Sequence, residues 1–302
     1  MTTKTREKGV GSKKEDNRAF ERHKPGSTKP LRAADIKEHE VPRHIVKEWR
    51  KFKLPPGEPY LEEGPTENVH YEAAEKVVEG LELTAKDIEI FSILLERSKN
   101  AKDFPLKAGF FLSALINKCD DPKYVIHTRG LRKIDALCCG AGRDGGMKEI
   151  MVHGDVGDYF AAWMYDGVVT LNGKAGHHTK VSALGGTVIA NDDVGDYAAN
   201  NMDGGYLIAK KNVGHSAAMD LLSGTVVIIG NAGDRLGCEM GTNNPEHDEE
   251  EYRTVMAMGK VGNEVGHRMK SGVIFLWNEY LSISNEIHGG KVFHRGDLRV
   301  DR

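Results

Sequence analysis

Gly154-Asp155-Val156-Gly157-Asp158 and Gly230-Asn231-Ala232-Gly233-Asp234 are two copies of one pattern that recurs through the second half of this 302-residue chain. The second glycine of the pattern returns at a strict 19-residue step, four times in succession. It then returns once more after one such step plus a ten-residue insertion. We name this set the corner glycines: Gly157, Gly176, Gly195, Gly214, Gly233 and Gly262. A fixed period of about 20 residues predicts a solenoid of stacked, similar units.

Short runs of β-branched and apolar residues lie between the glycines and predict one strand in each coil. Two apolar columns follow the 19-residue step, two positions apart, so both point to the same face of the strands. The first column is Ile150, Val169, Val188, Leu207, Val226, Val255, Ile274 and Phe293, and the second is Val152, Leu171, Ala190, Ala209, Ile228, Ala257 and Leu276. A 19-residue coil is too short for a strand and a full helix. The pattern therefore favours a β-helix of seven to eight coils, from about Met147 to about Val300.

Glycine is expected at the corners of these coils because a sharp turn often needs a positive φ. A second glycine stands ten positions after most corner glycines, at Gly167, Gly186, Gly205, Gly224 and Gly272. A dinucleotide-binding loop would need a strand, its glycine motif and then a long helix. The glycines here precede another strand, so the sequence argues against a Rossmann fold.

The amino-terminal region has a different composition. Residues 1–53 hold 16 Lys and Arg against 8 Asp and Glu, a balance of +8, so the rest of the chain carries −11 of the formal charge of −3. Residues 1–43 show almost no apolar periodicity and no apolar core of a signal peptide. We predict a basic, disordered tail and linker over 1–53. Nucleic-acid binding through it is an alternative, but no interleaved aromatic residues favour it.

Residues 54–124 predict a helical region. Thr84 and Asp87 are typical of a helix start, and the apolar spacing that follows ends near Ser98. A second helix is expected from about Pro105 to Asn117. An open β-helix leaves an unpaired edge that is normally covered, so we expect these helices to cap the first coil. The irregular stretch 131–139 would form that coil, within a solenoid domain of 125–302.

No cofactor or metal site is predicted. The four cysteines, at 119, 138, 139 and 238, form no C-x-x-C pair and indicate reduced thiols in a cytoplasmic protein. No apolar run approaches the length of a membrane span, which needs roughly 18 residues or more. The stretch Gly214-His215-Ser216-Ala217-Ala218 lacks the last glycine of an esterase nucleophile elbow.

The residue after each corner glycine defines a second feature, which we name the polar ladder. Its members alternate acid and imidazole: Asp158, His177, Asp196, His215 and Asp234, with Asn263 next in the column. Stacked strands lie about 4.8 Å apart, so these side chains are expected to interact. Three interpretations remain open at this point: a turn position that favours short polar residues, a charge ladder with each histidine between two carboxylates, and a metal or catalytic site.

The repeated pattern, with Met164 and Gly167 after its first copy and Gly237 and Met240 after the second, resembles the GXGXG family. That family includes the carboxy-terminal domain of the glutamate synthase large subunit, the C subunit of formylmethanofuran dehydrogenase and standalone archaeal proteins. The resemblance covers roughly residues 125–300, including the ending Gly289-Gly290-Lys291-Val292-Phe293-His294-Arg295-Gly296, and departs from the family's glycines at Asp192 and Lys211.

The resemblance implies a right-handed, single-stranded β-helix that holds other domains or subunits in place. We therefore expect a non-catalytic scaffold subunit of a larger redox complex of the glutamate synthase or formylmethanofuran dehydrogenase type. Its partners would be protein subunits that carry flavin, iron–sulfur or pterin-bound metal. The alternatives are a stand-alone amidotransferase- or esterase-like enzyme and a nucleic-acid-associated protein. Thr2, and not a nucleophilic cysteine, stands directly after Met1, which disfavours the amidotransferase. The acidic insertion at 243–252 is either a solvated loop or a partner contact.

Overall fold

The computed structural model describes residues 32–57, 68–241 and 252–302. The acidic insertion, apart from Tyr252, and residues 1–31 lie outside the described ranges, so the expectations for them stay predictions. Within the described ranges, no helix is both long and apolar enough to cross a membrane.

The fold is a parallel β-solenoid of about seven turns, as the glycine period predicts. Its strands form one ten-stranded sheet in chain order, in which β1 to β9 are parallel and β10 returns antiparallel to β9. The strands are β1 Lys123–His127, β2 Glu149–His153, β3 Val168–Asn172, β4 Thr187–Ala190, β5 Asp203–Ala209, β6 Ser223–Ile228, β7 Arg253–Ala257, β8 Val273–Leu276, β9 Lys291–His294 and β10 Asp297–Asp301.

The two apolar columns fill the interior of the solenoid. Val226, for example, pairs with Leu207 on one side and Val255 on the other, and all three are fully buried. The last member of the first column was predicted wrongly. Ile274 pairs with Val292 rather than with Phe293, because the final step is one residue shorter than the regular one. A slip of one residue exchanges the two faces of a strand, so Phe293 lies on the outer face.

Each coil also has a turn segment in which alternate residues adopt a left-handed backbone. Tyr159, Ala161 and Trp163 have φ of 60°, 54° and 56°, and the same pattern returns in the next coil. The backbone N–H of Ala161 donates to Leu137 of the coil before (2.8 Å), and that of Trp163 donates to Val181 of the coil after (3.0 Å). These hydrogen bonds between coils pair the backbone N–H groups of the turn segment. They also stabilise a left-handed conformation that residues other than glycine rarely adopt.

Four α-helices precede the solenoid: α1 Arg43–Lys51, α2 Val69–Val78, α3 Ala85–Leu94 and α4 Phe104–Lys118. Thr84 caps α3 as predicted, because its hydroxyl accepts the backbone N–H of Asp87 at 3.1 Å. Short 3₁₀ turns lie at Glu38–Glu40 and Leu95–Ser98.

Helix α4 caps the first coil with a stripe of small and polar residues, four positions apart. Gly109 lies against the backbone of Asp135. The Ser113 hydroxyl donates to the carbonyl of Ala136 (3.1 Å), and the Asn117 amide donates to the carbonyl of Cys139 (3.0 Å). Helix α3 covers the open edge of β1 in the same coil, where the Ser92 hydroxyl accepts the N–H of His127 at 3.0 Å. The predicted capping role of the helices is confirmed.

Residues 32–53 correct the predicted extent of the disordered tail. Ile45, Trp49 and Phe52 are buried in the main core, and Ala33 packs against α3. The apolar spacing of α1 is short, and charged residues surround it, which is why the composition of 1–53 concealed it. The cap therefore begins within the basic region, before residue 54. The solenoid begins with β1 at Lys123, slightly before the predicted boundary.

Candidate functional site

The corner glycines are required because a Cβ would not fit at these positions, and not because the backbone needs a positive φ there. None of the six has a positive φ, so the expected reason was wrong for this set. A Cβ at Gly214 would overlap the carboxylate of Asp196 in the coil before, and a Cβ at Gly262 would overlap that of Asp234. The second set does meet the expectation, since Gly167 and Gly224 have φ of +91° and +98°.

The space left by the corner glycines is used by the polar ladder. The Asp158 carboxylate accepts the backbone N–H of His177 at 2.8 Å, and Nδ1 of His177 accepts the backbone N–H of Asp196 at 3.0 Å. Asp196 caps His215 and His215 caps Asp234 in the same way, at 2.8 and 3.0 Å. The structure thus brings all five predicted ladder residues together in one column.

The ladder gains one unpredicted residue at its amino-terminal end and continues at its other end to Asn263, the residue that the sequence places next in the column. Asp135, which lies outside the 19-residue step, accepts the N–H of Asp158 at 3.0 Å. Asn263 donates its own N–H to Asp234 at 2.7 Å, and this bond holds the pKa of the Asp234 carboxyl below its usual value. The side chains from Asp135 to Asp234 therefore each accept a backbone N–H at the corner of the next coil, and the Asn263 amide donates back to Asp234 at 3.2 Å.

This geometry favours the turn interpretation of the ladder over alternating charges. A histidine that accepts an N–H at Nδ1 is a neutral imidazole with its proton on Nε2. The same Nδ1 atoms also lie 3.5 Å from Asp196 and 3.6 Å from Asp234, at a second oxygen of each carboxylate. His215 is occupied in this way and is not available to activate the neighbouring Ser216, so the esterase alternative gains nothing from the structure.

A second polar column runs beside the first and was not predicted. Asp155 accepts the N–H of Lys174 at 2.9 Å, and Asn212 accepts the N–H of Asn231 at 3.0 Å. Lys174 also pairs with Asp193 at 2.9 Å. The signal was present as the residue two positions before each corner glycine. No group of three or more His, Cys, Asp or Glu among the described residues could hold a metal ion.

The outer face of the sheet carries an apolar surface on its carboxy-terminal half, which we name the docking face. Four of its residues are the most exposed: Tyr206 at 54%, Ile229 at 49%, Met258 at 38% and Trp277 at 54%. The complete set is Tyr206, Ile208, Val227, Ile229, Met256, Met258, Phe275, Trp277 and Phe293.

The docking face spans β5 to β9, which is roughly 20 Å at the usual strand spacing. Phe275 and Phe293 stack within it, with ring centroids 5.2 Å apart. On the amino-terminal strands the same face is mixed. Glu149, His153 and Asn172 are polar there, and Met151, exposed to 37%, lies between the first two. Parallel sheets are normally covered on both faces, and a contiguous exposed apolar patch marks an interaction site.

The docking face was missed because only the inward columns were followed. The position between them follows the same period and is apolar on every strand from β4 to β8, at Ile189, Ile208, Val227, Met256 and Phe275. Reading both faces of each strand would have found it.

Comparison with protein-family models, with curated proteins and with solved structures finds no match to this chain. The resemblance to the GXGXG family therefore rests on the residues quoted above alone.

Proposed function

We propose that this chain is a non-catalytic scaffold subunit whose docking face binds another protein subunit. The single observation that carries the proposal is the apolar outer surface of β5 to β9. The polar side chains at the corners of the coils, in contrast, form hydrogen bonds within the solenoid. A rigid sheet presents such a surface without a large ordering cost on binding, which favours a stable assembly.

The partner we propose is a subunit of a redox enzyme of the glutamate synthase or formylmethanofuran dehydrogenase type. The resemblance of residues 125–300 to the GXGXG family supports this choice, because that domain holds such enzymes together. Flavin, iron–sulfur or pterin-bound metal would then belong to the partner. The four thiols are free and buried, and burial raises the pKa of Cys238 to about 11. They suit a structural role in a cytoplasmic assembly.

The proposal is tested by purifying the tagged chain from its native cell under mild salt. We expect a flavoprotein or metalloprotein to copurify in a fixed ratio, with the absorbance of its cofactor. The variant Trp277→Glu should lose that partner, since a charge in an apolar contact is strongly unfavourable. Leu184→Glu is the matched control, because Leu184 is also exposed, at 50%, but lies outside the docking face.

Retention of the partner by Trp277→Glu would contradict the docking face. Recovery of the chain alone, with hydrolytic activity of its own, would favour the enzyme alternative instead.

A further inference from the structure

A basic groove lies in the helical cap, far along the chain from the docking face. It has a volume of about 840 Å³. Its rim holds five cationic side chains, Arg43, Lys47, Arg50, Lys51 and Arg97. Four of these belong to α1 at positions i, i+4, i+7 and i+8, so they follow one side of the helix over roughly 12 Å.

The floor of the groove is aliphatic. Ile36, Val41 and Val46 line it and are half-buried. The only carboxylate among the lining residues is Glu38, which pairs with Arg43 at 2.9 Å. The groove therefore offers a strip of apolar surface between cationic side chains.

Two of the five cationic side chains, Lys47 and Arg50, differ from the others in their hydrogen bonding. Lys51 pairs with Glu48 at 2.8 Å, and Arg97 donates to the carbonyl of Ala33 at 3.1 Å. Lys47 and Arg50, in contrast, make no hydrogen bond or ion pair with any residue in the described part of the chain. Both are exposed, so they can pair with an incoming anion without breaking an existing bond.

The chemistry of the groove favours an acidic peptide over a nucleic acid. Proteins that bind single-stranded nucleic acid stack the bases on aromatic rings, whereas the described residues that line this groove are aliphatic or charged. Residues 54–302 carry a formal charge of −11, which repels a long polyanion but leaves room for a short segment. Leucine-like side chains would fill the floor, and carboxylates would reach the rim.

We propose that the basic groove binds a short acidic segment with aliphatic residues, supplied by a partner protein. The proposal is independent of the docking face, because the groove is built by helices and the docking face by strands. The two surfaces would allow one scaffold to hold two different partner segments.

The test uses the full chain and a fluorescent twelve-residue peptide of alternating glutamate and leucine, with binding followed by anisotropy. The groove variant is Lys47→Glu with Arg50→Glu. Its control is Lys102→Glu with Lys133→Glu, which makes the same change in net charge at exposed lysines outside the groove. We expect saturable binding that the groove variant weakens at least about tenfold and the control less than about twofold.

Two outcomes would overturn the proposal. An equal loss in both double variants would mean that only net charge attracts the peptide. Equal or tighter binding of a twelve-nucleotide oligothymidine, lost in the groove variant alone, would assign the groove to nucleic acid. A peptide with lysine in place of glutamate is expected not to bind, and melting curves of both variants check that the fold is unchanged.

Discussion

At the scale of single residues, this solenoid is held by exchanges between neighbouring coils. Because glycine has no side chain, the carboxylate or imidazole of one coil can pass a corner glycine of the next coil. It then accepts the backbone N–H of the residue that follows that glycine. Asp196 does this across Gly214, and Asp234 does it across Gly262. The glycines and the polar ladder are therefore one structural device, which the sequence presented as two separate columns.

The His215 position tests that device. Replacing His215 with leucine should cost roughly 1 kcal/mol of unfolding free energy, because the backbone N–H of Asp234 loses its acceptor. His215→Asn keeps a short acceptor, as in the asparagine members of the neighbouring column, and should cost less. Urea denaturation of the two variants measures the difference. Equal losses would mean that the imidazole acts through something other than this hydrogen bond.

Lys180 is a buried cation that the sequence did not reveal. Its side chain is fully buried in the turn segment, and its Nζ donates to the carbonyl of Gly185 at 2.6 Å. Burial lowers the pKa of Lys180 to about 7, whereas lysine in an unfolded chain has a pKa of about 10.4. At a pH between these two pKa values, Lys180 is protonated in the unfolded chain and deprotonated in the folded protein.

The sign of the pH dependence follows from that difference. Lys180 should make the protein more stable as pH rises from 7 towards 10, by up to about 1.4 kcal/mol per pH unit, and should contribute no slope well below pH 7. Comparison of the parent with Lys180→Met removes the effect of other groups. The gain in unfolding free energy of Lys180→Met over the parent should be largest at pH 7 and below and should shrink by pH 9. A constant difference would show that Lys180 does not change its protonation on unfolding in this range.

At the scale of elements, each strand buries one face and presents the other. Ile228 is fully buried in β6 with Ala209 and Ala257 beside it, while Val227 lies on the outer face. Ile228→Ala should cost about 2–5 kcal/mol, the usual range for a large-to-small change in a core. Val227→Ala on the same strand should cost well under half as much. Chemical denaturation of both variants would reveal a wrong register if their losses were equal.

Helix α4 makes a prediction of unusual sign. Alanine in place of a glycine within a helix normally stabilises it, by up to about 1 kcal/mol. At Gly109 the added Cβ would overlap the carbonyl of Asp135 and push α4 off the first coil. We expect Gly109→Ala to destabilise the protein by roughly 1–3 kcal/mol. A rise in melting temperature would mean that α4 does not rest on the first coil in the way described.

Much of the fold was readable from the sequence because its period is strict. The strands, the interior columns, the cap on α3 and the place of α4 all followed from spacing. The slip at Phe293 did not, because a coil one residue shorter leaves no local mark. Nor did the left-handed turn segments, in which non-glycine residues such as Trp163 adopt a positive φ that only inter-coil bonds stabilise. The basic groove was hidden because α1 lies in a stretch of mainly charged composition.

At the scale of the whole molecule, the solenoid is polar along its corners, covered by helices at one end and apolar on part of its outer sheet. The carboxy-terminal edge is closed by β10, whose Asp297, Arg299 and Asp301 are exposed. Charges on an edge strand discourage further strand addition. Association through the side of the sheet is therefore favoured over growth at its end.

Hydroxyl-radical footprinting of methionine and tryptophan tests the docking face most directly, in the isolated chain and in the assembly purified from its native cell. Met258 and Trp277 lie on the docking face, and Met147, exposed to 71%, lies outside it. All three should be oxidised in the isolated chain. In the assembly we expect Met258 and Trp277 to be protected at least about tenfold while Met147 keeps its rate, because an interface core excludes water. Unchanged oxidation of Met258 and Trp277 in an intact assembly would contradict the scaffold account.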